Sequence, residues 1–261
     1  MSELPMTAAQ FFEIFRAYNE AVWPAPVLWV VLSAAAVFAA FRRSAVSDRA
    51  IALFLGALWL WSGVAYMILR HAPHNPIGYV FGGLFVLQAL LFVTFGAVRR
   101  EITFVPRRDS FGLVGGFLLF YALVAYPIVG YVLGQRYPWA PTFGVPCPTT
   151  IFTFGMLLWT TGRIRWQLLV VPVLWAFIAV GAALGWGVYE DGMMPVAAAV
   201  ATVMLIRRNR RNLDSVSAAS SWPAHAESGS GRPPPAVKTV AIHGTRSTGL
   251  GCTGDQAGVR R

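Results

Sequence analysis

Charge is scarce in this chain. Of its 261 residues, 12% are Asp, Glu, Lys or Arg and 56% are hydrophobic, whereas a soluble globular domain carries roughly a quarter charged residues. The surface polarity that a soluble fold needs is missing. Lysine is nearly absent too. Lys238 is the only one, so no apolar run offers the amine from which a retinal protein builds its Schiff base. His, Asp and Glu are missing from every long apolar run. That excludes haem held by axial histidines inside the runs, acid–base proteolysis at membrane depth and pumping by buried ionisable groups. The two cysteines, Cys147 and Cys252, lie far apart and give neither a metal-ligand spacing nor a disulfide framework. No glycine-rich phosphate loop occurs, and no cofactor or metal is expected. The start, Met1-Ser2-Glu3 and mixed in charge as far as Glu20, lacks the basic region of a cleavable signal, so the first apolar run is expected to be retained.

What the chain has instead is apolar length. A helix needs about 20 residues to cross a ~30 Å hydrocarbon core. Val22–Phe41, Ala50–Leu69, Ile77–Val98, Phe111–Gly134 and Leu168–Val188 meet that length without a charged residue. Two further runs are shorter: Phe143–Gly162, which holds Pro146 and Pro148, and Gly192–Ile206.

The formal charge of +10 would suit a nucleic-acid partner if it formed one face, but it does not. It falls in arginine clusters between the runs, which is how cytoplasmic loops are marked. If all seven runs cross with the N-terminus outside, the inside loops hold Arg42, Arg43 and Arg49, then Arg99, Arg100, Arg107 and Arg108, then Arg163 and Arg165, then Arg207, Arg208, Arg210 and Arg211. Outside there are only Arg16, Arg70 and Arg136. Five crossings with a re-entrant segment divide the arginines less cleanly. The expected fold is therefore all-α: a membrane bundle of about seven transmembrane helices, N-terminus outside and C-terminus cytoplasmic. The Arg, Ala and Gly bias suits a bacterial genome and hence the inner membrane.

Before the first run, Thr7-Ala-Ala-Gln10 reads as a capping box. Phe11, Phe15, Tyr18 and Val22 follow at helical spacing, so residues 1–21 are expected to hold a short amphipathic helix in the interface. The bundle then covers 22–211. Residues 212–261, rich in Ser, Gly, Pro and Ala, read as a disordered cytoplasmic tail, in which His243 and Cys252 are incidental. Within the bundle, Gly78-x-x-x-Gly82, Gly112-x-x-x-Gly116 and Gly181-x-x-x-Gly185 allow close helix approach, either inside one chain or in a homo-oligomer. Pro127 and Pro172 are expected to kink their helices, and Trp23, Trp139 and Trp186 to anchor span ends.

The reactive side chains gather on the expected outer face: Glu20, His71, His74 and Asn75 of the His71-Ala-Pro-His74-Asn75-Pro76 turn, Cys147, Glu190 and Asp191. Imidazole, thiol and carboxylate suit a soft or borderline metal, yet acidic loops and Asn-Pro turns are also ordinary there. Cys147 stands between two prolines in an expected extended lead-in, with Thr149 and Thr150 capping the next helix. Its thiol is then either near a positive helix end or simply buried. Gln88 lies mid-run, as a hydrogen-bonding tie between helices or as a polar pore lining.

Tyr18-Asn-Glu-Ala-Val-Trp-Pro24, His74-Asn-Pro76, Gly82-Gly-Leu-Phe-Val-Leu-Gln88 and above all Gly144-Val-Pro-Cys-Pro-Thr-Thr150 resemble a family of bacterial multi-pass membrane proteins, domain of unknown function six thousand and sixty-four. The resemblance runs from about residue 5 to 207. It implies a polytopic membrane protein and brings no activity with it. The expected partners are the lipid bilayer and a small solute or ion bound or passed at the outer end. A scaffold or sensor subunit docking on another membrane protein is the alternative, and an enzyme using outer loops comes third.

Overall fold

Thr7 starts the first helix. Its hydroxyl accepts from the Gln10 N–H while Gln10 reaches back to the Thr7 N–H, forming the expected capping box. The helix it opens, α1 (Ala8–Val22), buries Phe11, Ile14, Phe15, Tyr18 and Asn19 along one face. It turns through 81° at Trp23 and Pro24 into α2 (Ala25–Ala40). The computed structural model describes residues 6–220. Most of the expected tail, with His243 and Cys252, lies outside the described residues.

Four long helices follow the apolar runs: α3 (Ala45–His71), α4 (Ile77–Val98), α5 (Ser110–Val132) and α7 (Gln167–Trp186). The last, α8 (Met193–Ser220), is entered through a 3₁₀ turn at Tyr189–Gly192 and continues past Arg211. Five helices of the described chain are long and apolar enough to cross a membrane, or six if α1 and α2 make one bent span. Their outward faces carry large bare side chains such as Leu28, Val31, Leu113, Phe117 and Leu184, the surface that lipid would cover.

One helix differs. α6 (Pro146–Leu158) has only 13 residues, and every one of them is buried. At 1.5 Å per residue it is roughly 20 Å long, too short to cross alone. A non-helical lead-in, residues 133–145, precedes it. Asn19 donates to the carbonyls of Pro138 and Ala140 (2.6 and 2.9 Å) and accepts from Thr142 (2.6 Å), pinning this segment beneath α1. Gly144 then turns the chain at φ +105°, a conformation that favours glycine, and a Cβ there would stand 3.0 Å from Trp29, 3.3 Å from Tyr18 and 3.4 Å from Trp61. Pro146 and Pro148 occupy the first turn of α6, where no N–H is needed for the helix ladder. This corrects the expected helix start. Thr150 back-bonds to the Pro146 carbonyl at 2.7 Å rather than capping, and Cys147 lies in the helix, not in an extended lead-in.

Close packing around α6 uses glycines from different helices. A Cβ on Gly155 would stand 3.0 Å from the Gly115 carbonyl of α5, and one on Gly115 would stand 2.6 Å from Trp159. Gly63 of α3 and Gly82 of α4 meet in the same way. Of the three glycine pairs read from sequence, Gly82 makes such a contact, Gly112 abuts its own loop, and Gly181 faces open space.

The arginine-rich loops come together at one end. Thr103–Phe104 (β1) pairs antiparallel with Thr160–Thr161 (β2), and Phe104 N–H donates to Asp48 of α3 at 2.8 Å. Arg165 bonds Glu101 at 2.8 Å, and Asn209 of α8 clasps the Ile164 backbone on both sides (2.7 and 3.0 Å). At the opposite end lie α1, the 72–76 turn, the 133–145 lead-in and Tyr189–Gly192.

Candidate functional site

The end opposite the arginines holds a cavity of about 330 Å³. Phe11 and Phe15 of α1 roof it, with Phe11 stacked on Trp186 (4.2 Å between centroids) and Phe15 on Tyr66 (5.5 Å). The last part of α3, Ser62–His71, is π-helical, a widened form that often marks functional positions. Its i→i+5 register puts Tyr66 and His71 on one face, 6.2 Å apart, and both line the cavity with Met67. Asn75 comes from the turn before α4, Ile77 from its first residue, Cys147 from the first turn of α6, and Trp175, Ile178 and Gly181 from α7. Asp191 enters from the turn before α8.

The walls are mostly apolar, and the polar groups are few and placed. Asp191 accepts a 2.6 Å bond from the buried Tyr126 hydroxyl, and its carboxyl lies within reach of the Cys147 thiol. The Trp175 indole N–H has no hydrogen-bond partner among the described residues and belongs to the same cavity wall. His71 is 7% exposed, and its Nδ1 has no partner among the described residues. Of the residues singled out from sequence, His71, Asn75, Cys147 and Asp191 thus share one cavity.

The others do not join them. Glu190 is buried beside Asp191 but points elsewhere, into a smaller cavity of about 230 Å³ between α5 and the lead-in, where it accepts from Gln135 at 3.1 Å. Glu20 is exposed and paired with Arg16. His74 is exposed, with Nδ1 3.0 Å from the Arg70 carbonyl. Gln88 lies in the bundle, donating to the Leu168 carbonyl at 3.0 Å, and lines neither cavity. The carboxylates expected in an outer loop, Glu190 and Asp191, are 1% and 2% exposed. The 3₁₀ turn packs them under Tyr121 and Tyr126, whose hydroxyls bond the Glu190 carbonyl and the Asp191 carboxyl.

Sequence reasoning passed over Tyr66, Tyr126, Trp175 and Asn19. Asn19 was within reach, because it falls four residues after Phe15 on the apolar face of α1, where a polar side chain needs a partner. Tyr126 and Trp175 gave no such signal inside uniformly apolar runs.

Among the described residues, no three His, Cys, Asp or Glu side chains are grouped to hold a metal ion. A family model described as a family of unknown function (DUF6064) matches residues 8–215. No curated protein and no solved structure matches the chain.

Proposed function

The chain belongs to the family of unknown function DUF6064, and we propose that it is a seven-crossing membrane protein that binds a small amphiphilic molecule in the cavity at its outer end. In this reading α1 lies in the outer interface, α2 through α8 cross, and the arginine loops face the cytoplasm of a bacterium. The gathering of those loops at one end supports this orientation, since such loops resist translocation. The lead-in and α6 together supply the crossing for which α6 alone is too short.

One observation carries the binding reading. Polar groups from four elements (His71, Asn75, Cys147 and Asp191) converge on an otherwise apolar cavity, within the size range of small-molecule sites. Its rim includes the outward-facing Ile77, Ile178 and Gly181. In a bilayer that rim opens sideways among lipid tails, so a molecule with an apolar body enters without crossing water. Passage through the bundle has less support. The hydroxyls along α6 are already engaged: Thr149 near Ser62, and Thr153 with both the Thr149 carbonyl and the Trp59 indole.

A diazirine-bearing alkyl alcohol, photolysed in proteoliposomes and mapped by mass spectrometry, tests the proposal. Adducts are expected on Phe15, Met67 and Trp175, with a lower yield in Gly181→Phe. Adducts confined to outward residues such as Leu28 and Leu184 would reject a ligand cavity.

A further inference from the structure

The other end of the bundle holds a second, polar cavity of about 380 Å³. Arg107, Arg207, Arg208 and Arg211 line it, together with Ser110 and Phe111 at the start of α5. Arg208 is the unusual member. It is 7% exposed, although arginines near the end of an apolar helix normally reach into water. It is held by the Thr160 carbonyl and hydroxyl at 2.5 and 3.0 Å, and both of those are neutral acceptors. Its Nε–H has no acceptor among the described residues.

A buried guanidinium with only neutral partners and one idle donor is costly. The neighbours add to the cost. Arg107 and Arg208 both lie against the Phe111 ring, at 5.2 and 5.5 Å from its centroid, so two like charges gather at one aromatic side chain. The nearby carboxylate, Asp109, is engaged by Arg107 and by the Gly112 N–H. Neither Arg207 nor Arg208 forms an ion pair with a described residue.

We propose that this cavity binds a phosphate-bearing anion, with Arg208 as the buried donor and Arg107, Arg207 and Arg211 meeting the remaining oxygens. Guanidinium forks match phosphate oxygens, and one such anion would reverse the repulsion between Arg107 and Arg208. Both a phospholipid headgroup and a free phosphate carry this chemistry.

Full-length protein in phosphatidylcholine nanodiscs, titrated with inorganic phosphate, tests the free anion. Nanodiscs doped with phosphatidylglycerol, analysed by native mass spectrometry for retained lipid, test the headgroup. Saturable binding is expected in one arm, and the arm that shows it names the source. Arg107→Gln should weaken binding about tenfold, the loss of one charged hydrogen-bond donor, and Arg208→Lys likewise. Arg210→Gln removes the same charge outside the cavity and should leave binding within about twofold, because a distant exposed charge is screened. No saturable binding in either arm, or equal losses in Arg107→Gln and Arg210→Gln, would overturn the proposal.

Discussion

Gln88 of α4 donates a 3.0 Å hydrogen bond to the Leu168 carbonyl of α7, and Pro172 is the reason that carbonyl is free. Proline has no N–H to return to the residue four positions before it, so the first turn of α7 is left with an orphan acceptor in an apolar bundle. Gln88→Leu should therefore destabilise the protein by about 1–2 kcal/mol, the range for a polar group stranded inside a bundle. Adding Pro172→Ala restores the backbone donor. The double variant should recover most of the loss in detergent unfolding titrations. Strict additivity of the two changes would mean that the carbonyl was never the shared partner.

Glycine position should matter more than glycine motif. Gly155 faces the Gly115 carbonyl and the Leu119 side chain at 3.0 Å or less from a would-be Cβ, whereas nothing lies within 4 Å at Gly181. Gly155→Leu should cost at least about 2 kcal/mol through overpacking, and Gly181→Leu should leave thermal stability nearly unchanged. Equal stability of the two variants would contradict the central placement of α6.

The long helices were legible in the sequence because lipid demands a simple pattern, about 20 apolar residues without charge. Burial was not. In a uniformly apolar run every face looks alike, so nothing in Ile151-Phe-Thr-Phe154 marks a helix surrounded on all sides. Leu113-Val-Gly-Gly-Phe117, whose Leu113 and Phe117 point outward, reads much the same. The Gly144-Val-Pro-Cys-Pro-Thr-Thr150 string was visible as unusual, but its meaning depended on contacts made by Trp29 and Tyr18 far away in sequence. His71, Cys147 and Asp191 were named individually. Their meeting in one cavity depends on the π register of α3 and on the depth at which α6 begins, and neither has a local sequence signal. The arginines were read as orientation marks, which hid the burial of Arg208.

Glu101 and Arg165 tie the two strand-bearing loops together with bonds of 2.8 and 3.2 Å. The Arg165 guanidinium, bonded to the carboxylate, holds Glu101 below its ordinary range. A carboxylate depressed on folding contributes stability above its unfolded pKa of about 4.3, and loses it as pH falls through the lower folded value. Both side chains are partly exposed, so the contribution is below about 1 kcal/mol. Glu101→Gln should lower the melting midpoint by no more than about 3 °C at pH 7, and the difference should shrink as pH falls below the unfolded pKa. A drop of the same size at pH 3 would refute the ionic origin.

Orientation is testable without knowing the ligand. A phosphatase joined after Arg211 should be inactive and a cytoplasmic reporter at the same point active. The pattern should invert for fusions after His74, in the turn at the other end. Fusions that give the same answer at both points would rule out an odd number of crossings between them.

Cys147 reports on the cavity directly. It is 7% exposed and lies where the roof of Phe11 and Phe15 separates it from water and Gly181 leaves the side open. In a Cys252→Ser background it is the sole thiol, so every label belongs to it. N-ethylmaleimide, small and able to enter the bilayer, should modify it in proteoliposomes, while a bulky sulfonated maleimide should not until the protein is unfolded in detergent. Gly181→Trp places a large ring at the open side and should slow N-ethylmaleimide severalfold without changing the unfolded control. Fast labelling by the sulfonated reagent would place the thiol in water instead, and the first turn of α6 could then be neither buried nor the floor of a lipid-facing site.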